Sequence, residues 1–205
     1  MDDEVVVRRR GDGATELRVN GVFVMDDVET SSERLLAEHV LAEGAADVLV
    51  GGLGLGFTAQ ALLARGVRRL VVAELHAAVV EAVSDGAGAG RAVLDDPRCT
   101  VVVGDVLAVV DAQPAASLDA VLLDVDNGPD FLVHEANAGV YATDGISRCA
   151  RVLRPGGHLA IWSMADSAPL RERLTTVLDD VRAVPVPVRL QGRDEHYWVL
   201  TGRVR

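Results

Sequence analysis

The sequence predicts a doubly wound α/β sheet of seven mostly parallel strands, preceded by a small N-terminal β-hairpin. Three observations predict it. From Ala46 onward, short apolar stretches alternate with amphipathic ones across glycine turns, the rhythm of a parallel sheet covered by helices on both faces. In "DAVLLDVDNGP", Val121, Leu122 and Leu123 form a continuous apolar run, as a central strand buried on both sides requires. The chain closes with "AVPVPVRL" and "HYWVLTG", an antiparallel pair in which Pro185 and Pro187 confine their strand to an edge or a bulge.

Taken in order, "ELRVNGVFVM" sets apolar residues around Asn20-Gly21, a pair that tolerates positive φ and so marks a hairpin. A helix follows, entered through Thr30, Ser31 or Ser32, with Leu35, Leu36, Val40 and Leu41 on one face and Gly44 as its stop. The strand "DVLVGG" then leads through glycines into the helix "TAQALLARG". "RRLVVAEL", "AAVVEAVSD" and the flexible connection "GAGAGRA" come next, before the strand "CTVVVGDV" and a helix over Val106 to Asp111. After "DAVLLDVD" come a helix over Ala138 to Leu153, the strand "GGHLAIWS" and a helix over Pro169 to Val181. These elements divide into a hairpin appendage over residues 1–29 and one α/β domain over residues 30–205.

Composition narrows the function. The chain has 205 residues, enough to bury a real core, and 49% of them are hydrophobic but only 3% aromatic, so that core is built from Val, Leu and Ala. A net charge of −11 opposes a nucleic-acid partner, since the basic cluster Arg8-Arg9-Arg10 reads as a solvated strand edge. No apolar run reaches the roughly 18 residues of a membrane helix, and "MDDEVVV" carries acids where a signal peptide is basic. Cys99 and Cys149 lack metal-ligand spacing and read as reduced thiols, so the expected setting is cytoplasmic. His39, His76, His134, His158 and His196 also lack ligand spacing, and no metal site is expected.

The informative residues stand at strand ends. In "VLVGGLGLGFT", Gly52, Gly54 and Gly56 lie between a strand and a helix, where glycine lets the backbone approach a ligand. Their spacing is G-x-G-x-G, not the G-x-G-x-x-G of dinucleotide sites. Glu74 ends the next strand, roughly twenty residues on, where an acid accepts both ribose hydroxyls. Asp105 ends the third and can accept an adenine amine. An adenosine-containing ligand is therefore expected. Asp124 and Asp126 end the fourth strand, at the sheet edge where open α/β folds bind ligands. Left to this segment alone, the two acids could equally solvate a loop or cap a helix.

Together these motifs resemble the class I S-adenosylmethionine-dependent transferases, which share a Rossmann-like methyltransferase fold, and within them the spermidine synthase-like (polyamine aminopropyltransferase) branch. The resemblance rests on the N-terminal hairpin, "SSERLLAEHVL", "VLVGGLGLGFT", "VAEL", "DPRCTVVVGDV", "AVLLDVDNGP", "VLRPGGHLAIWS" and "HYWVL". It implies that Gly52, Gly54 and Gly56 line the donor, that Glu74 holds its ribose, and that Asp105, followed by Val106, holds its adenine. It also implies that Asp124 takes a proton from an attacking amine, and that the protein is a homodimer. Asp126 joins Asp124 as a catalytic candidate, while Asn127 and Tyr141 are candidates for shaping the acceptor pocket.

Two departures bear on the reaction. Aminopropyltransferases carry an Asp in the glycine turn for the amine of decarboxylated S-adenosylmethionine, and Gly54 stands there instead. Losing that contact costs about 1.5–3 kcal/mol. Methyltransferases keep an acid two residues before the first glycine, and here it is Val50. The expectation is methyl transfer from S-adenosylmethionine to a small acceptor. Aminopropyl transfer from the decarboxylated donor to an amine, or nucleoside binding without chemistry, are the alternatives.

Overall fold

The protein is described here by a computed structural model covering residues 4–125, 128–132, 135–190 and 193–205. Strands β4 (Asp47–Gly51), β5 (Arg69–Glu74), β6 (Cys99–Val103), β7 (Leu118–Leu123), β8 (Leu153–Ser163), β9 (Asp179–Leu190) and β10 (Arg193–Arg203) form one sheet in the order β6-β5-β4-β7-β8-β10-β9. The first five run parallel, and β10 pairs antiparallel with β8 and β9. Pro185 and Pro187 lie on β9, the edge strand. Being two residues apart, they direct their missing N–H positions to the same open side, so the ladder with β10 is kept.

Side-chain alternation along the central strands builds two cores. Val48 and Val50 of β4, Val72 of β5 and Leu122 of β7 face helices α1 (Ser31–Leu41), α2 (Phe57–Ala64) and α3 (Ala77–Ser84). Leu49, Val71, Val121 and Leu123 face α5 (Val106–Asp111), α6 (Thr143–Val152) and α7 (Ala168–Val177) on the other side. Val121, Leu122 and Leu123 are all buried, as their continuous apolar run demands. A short helix, α4 (Arg91–Leu94), follows the glycine-rich connection before β6.

Some boundaries differ from the sequence reading. The hairpin is part of a three-stranded antiparallel sheet, β1 (Val5–Arg9), β2 (Thr15–Val19) and β3 (Val22–Asp26). Asn20 and Gly21 turn it with φ of 51° and 75°, the mirror-image turn that suits strand twist. Glu16 of β2 is 3% exposed, and the guanidinium groups of Arg8, Arg10 and Arg18 surround it. Leu35 is exposed, while Leu36 and Val40 carry the buried face of α1. The helix expected from Ala138 starts at Thr143, after a 3-10 turn at Glu135–Gly139. The last helix stops at Val177, and β9 begins two residues later.

Leu17 of β2 packs in the same core as α1 and α2, so the N-terminal sheet lies over the first face of the main sheet. Among the described residues, no helix is long and apolar enough to cross a membrane.

Candidate active site

Strands β4 and β7 are neighbours, yet the chain leaves β4 toward β5 and leaves β7 toward β8. This reversal opens a crevice at their carboxyl ends, the place where open α/β sheets bind ligands. A cavity lies there. The sheet side of its wall includes Gly52, Gly54, Glu74, Asp105, Val106 and Asp124, and β2, β3 and α1 contribute the opposite side.

The glycine turn is held against the fourth strand. Gly52 has φ of 93°, and a Cβ there would stand 2.0 Å from the Asp124 carbonyl oxygen. Only glycine allows this approach, which sets the Asp124 backbone beside the turn. The Asp124 N–H donates to the Gly51 carbonyl at 2.8 Å, and the Gly52 N–H to that of Ala73 at 2.8 Å. Gly56 has φ of 85° at the start of α2, where a Cβ would meet that of Ala89 at 3.2 Å. It shapes the helix start and does not line the cavity.

Glu74 is 6% exposed and already bonded on both oxygens. Oε2 accepts from the Leu53 N–H and Oε1 from the His76 N–H, each at 2.9 Å. Each oxygen keeps a second lone pair for a ligand hydroxyl, so the carboxylate braces the turn and still faces the cavity. Asp105 caps α5, its Oδ1 accepting from the Ala108 N–H at 3.0 Å. It is exposed, and it too lines the cavity.

Asp124 is partly buried, with the Thr58 hydroxyl donating to its Oδ2 at 3.3 Å. Burial pushes its carboxyl up to about 7, the nearby Glu33 carboxylate adds to the rise, and the Thr58 hydrogen bond opposes it. Glu33, on α1, lines the same cavity. Its carboxyl is also raised, chiefly by burial and further by Glu29 and Asp26, while the Ser32 hydroxyl donates to it at 2.7 Å and opposes the shift. The crevice therefore concentrates acid beside apolar walls that include Leu17, Val24, Met25 and Trp162.

Asp126 and Asn127 lie outside the described residues. Tyr141 lies just ahead of α6 at 2% exposure, within the second core, and does not line the cavity. Its carbonyl accepts from Arg173 of α7 at 2.9 Å. It packs the second face of the sheet, not the acceptor pocket. Glu33, Thr58, Met25 and Trp162 were not singled out from the sequence. Thr58 adjoins the glycine turn and was within reach of such a reading, but the other three lie in stretches whose pattern speaks only of helix, strand and hairpin. Among the described residues, no group of His, Cys, Asp and Glu side chains is placed to hold a metal ion.

Compared with known proteins, no family profile matches the chain. Over 164 residues it is 34% identical to the polyamine aminopropyltransferases of Mycobacterium tuberculosis and Mycobacterium bovis. The match covers 77% of this chain but 30% of those proteins. A crystal structure of spermidine synthase in complex with the transition-state analogue AdoDATO superposes with a TM-score of 0.81, covering 98% of this chain and 70% of that one, at 14% identity. The chain has a spermidine synthase-like fold. The spermidine synthase from Thermotoga maritima agrees, with a TM-score of 0.77 over 98% of this chain and 68% of that one, again at 14% identity. The spermidine synthase-like fold accounts for the N-terminal sheet as well as the seven-stranded one, since both superpositions span nearly the whole chain.

Proposed function

We propose that this chain transfers an aminopropyl group from decarboxylated S-adenosylmethionine to an amine. The observation that carries the proposal is that Asp124 and Glu33 line one cavity beside the glycine turn. Gly54 argues against an aminopropyl donor when the turn is read alone, because the donor's ammonium lacks its carboxylate. Glu33 supplies a carboxylate from α1 instead. Its charge, with Asp26 and Glu29 behind it, attracts ammonium groups and repels the carboxylate of S-adenosylmethionine. The kinship to polyamine aminopropyltransferases supports the same reading over methyl transfer.

In this reading Glu74 and Asp105 take the ribose and the adenine, and Gly52 lets the backbone approach the nucleoside. The acceptor nitrogen forms a bond to the carbon beside the sulfonium, and the carbon–sulfur bond breaks with its electron pair left on sulfur. Methylthioadenosine departs, and Asp124 takes the proton released by the amine. A carboxyl near 7 suits that task, because it is part ionised at neutral pH and holds the proton it receives. Positioning two reactants in the crevice supplies the rest of the acceleration.

Incubation with decarboxylated S-adenosylmethionine and a panel of diamines tests this directly. Release of methylthioadenosine that depends on the amine is the expected result. Release of S-adenosylhomocysteine from S-adenosylmethionine, with no methylthioadenosine from the decarboxylated donor, overturns it in favour of methyl transfer.

A further inference from the structure

Met25 of β3 reaches the glycine turn from a separate sheet. The ladder between β2 and β3 shifts register there, with Leu17 opposite Met25 but Arg18 opposite Phe23, so Val24 is an inserted residue. Neighbours on a regular strand point to opposite faces. The bulge breaks that rule and lets both Val24 and Met25 line the cavity. The Met25 sulfur accepts from the Leu55 N–H at 3.2 Å. A Cβ on Gly54 would stand 2.6 Å from that same sulfur. Gly54 has φ of 50°, a left-handed region that an Asp tolerates better than most residues, so a side chain here must both take up that backbone and displace the thioether.

We propose that Met25 is a donor-specificity residue: its thioether fills the space beside Gly54 and takes the Leu55 N–H, so that a donor tail ending in a carboxylate is disfavoured against one ending in an ammonium or against no tail at all. The proposal rests on the reading of this cavity as a nucleoside donor site. A carboxylate wants backbone N–H groups at the start of a helix, and Leu55 lies just before α2. With that N–H bonded to sulfur, a carboxylate beside Gly54 loses this backbone donor and shares the cavity with the carboxylates of Glu33 and Asp124. An ammonium or a truncated tail loses nothing by the arrangement.

Calorimetry on the full chain with S-adenosylmethionine, decarboxylated S-adenosylmethionine and methylthioadenosine tests this in the wild type, Met25→Leu and Met25→Ala. Met25→Ala is expected to improve S-adenosylmethionine affinity about tenfold relative to methylthioadenosine, equivalent to one freed hydrogen bond to a charged group. Met25→Leu keeps the bulk and removes the acceptor, and should shift the same ratio less. A ratio unchanged in both variants, with methylthioadenosine still bound, overturns the proposal and leaves the donor site standing. Failure of all three nucleosides to bind any of the proteins removes the donor site and this proposal together. A second arm needs no ligand. Gly54→Asp should lower the melting temperature, and Met25→Ala should restore part of that loss when the two are combined, because they compete for one space. Strictly additive losses would show that they do not.

Discussion

An aspartate stands near each end of strand β7, and the two have opposite fates. Asp119, near its start, accepts from the Asp47 N–H at 2.8 Å and the Ala46 N–H at 3.0 Å, and pairs with Arg154. Burial pushes its carboxyl up, but the two N–H groups and Arg154 more than offset this, and it titrates below the usual range. Asp47 beside it shares Arg154, also pairs with Arg68, and is likewise held low, first by its bond to Arg68. Asp124, just past the other end, has a hydroxyl and another acid for neighbours and is pushed up to about 7. One end of the sheet neutralises its carboxylates with arginine and backbone, as structural acids require. The other leaves its carboxylates to be met by something cationic. Burial acts upward on both acids, so the company each one keeps distinguishes an acid that holds the fold from one that is available for chemistry.

The two ends should differ most at Asp124. Asp124→Asn should cut turnover by about 10²–10⁴, the usual contribution of a positioned base, with donor affinity nearly unchanged. Wild-type turnover should climb as pH rises through about 7, as the carboxyl ionises, and the Asn variant should lack that limb. Its effect on stability should have the other sign. A folded-state carboxyl raised above its unfolded value stabilises the fold at low pH, and that contribution fades as pH rises through about 7. Asp124→Asn should therefore melt higher than the wild type at about pH 8, and the advantage should shrink toward about pH 5. Thermal melts at both pH values, set beside turnover, check this.

Glu74 belongs to both regimes, and Glu74→Ala should show it. The buried Leu53 N–H loses its acceptor, at about 1–3 kcal/mol, and the part-buried His76 N–H loses its own at a smaller cost. Donor affinity, read by calorimetry on the folded fraction, should fall by about tenfold or more as the ribose contact goes. Full affinity in a merely destabilised protein would confine Glu74 to bracing the turn.

At the structural end, Asp119→Asn should destabilise by about 1.5–3 kcal/mol near neutral pH, the worth of hydrogen bonds to a charged group. This is the reverse of the same substitution at Asp124. Because the folded-state carboxyl is lowered, its stabilisation is present above the ordinary carboxylate range and is lost as pH falls through the folded value. The gap between wild type and variant should close in acid. A gap that stays constant down the acid limb would show that the charge of Asp119 is not what stabilises this edge.

The smallest effect is expected at Asp105. Asn caps a helix as well as Asp, so Asp105→Asn should change stability by only a few tenths of a kcal/mol, about the difference between good caps. Donor affinity should fall by about threefold to tenfold as a charge-assisted bond becomes neutral. Equal affinity for the two proteins would leave Asp105 a cap and nothing more.

Much of this was legible in the residues themselves, for a local reason. Glycine turns, continuous apolar runs and strand-ending acids are short-range patterns. In a parallel sheet every strand delivers its last residue to the same edge, so reading Gly52, Glu74, Asp105 and Asp124 in order amounts to reading one crevice. Tyr141 shows where such reading stops. Its place after an acidic loop pointed to the ligand, but the 3-10 turn and α6 carry it into the second core. Leu35 was likewise set on the wrong face of α1, because helical spacing gives a stripe but not its edges.

The sequence by itself determined the layers and the acids at the strand ends, since these follow from periodicity and chain direction. Only the tertiary structure decided which acids matter and what surrounds them. Asp119 and Asp124 are the same residue type near the two ends of one strand, and they diverge because two backbone N–H groups and Arg154 meet the first, while the second is buried beside Glu33. Glu33 lies on a helix 91 positions before Asp124, and Met25 on a separate sheet. Both enter the crevice through packing: α1 against the main sheet, and a one-residue bulge that turns β3 toward the glycines. Charge environment in a folded protein is set by distance in space, and distance along the chain carries almost none of it.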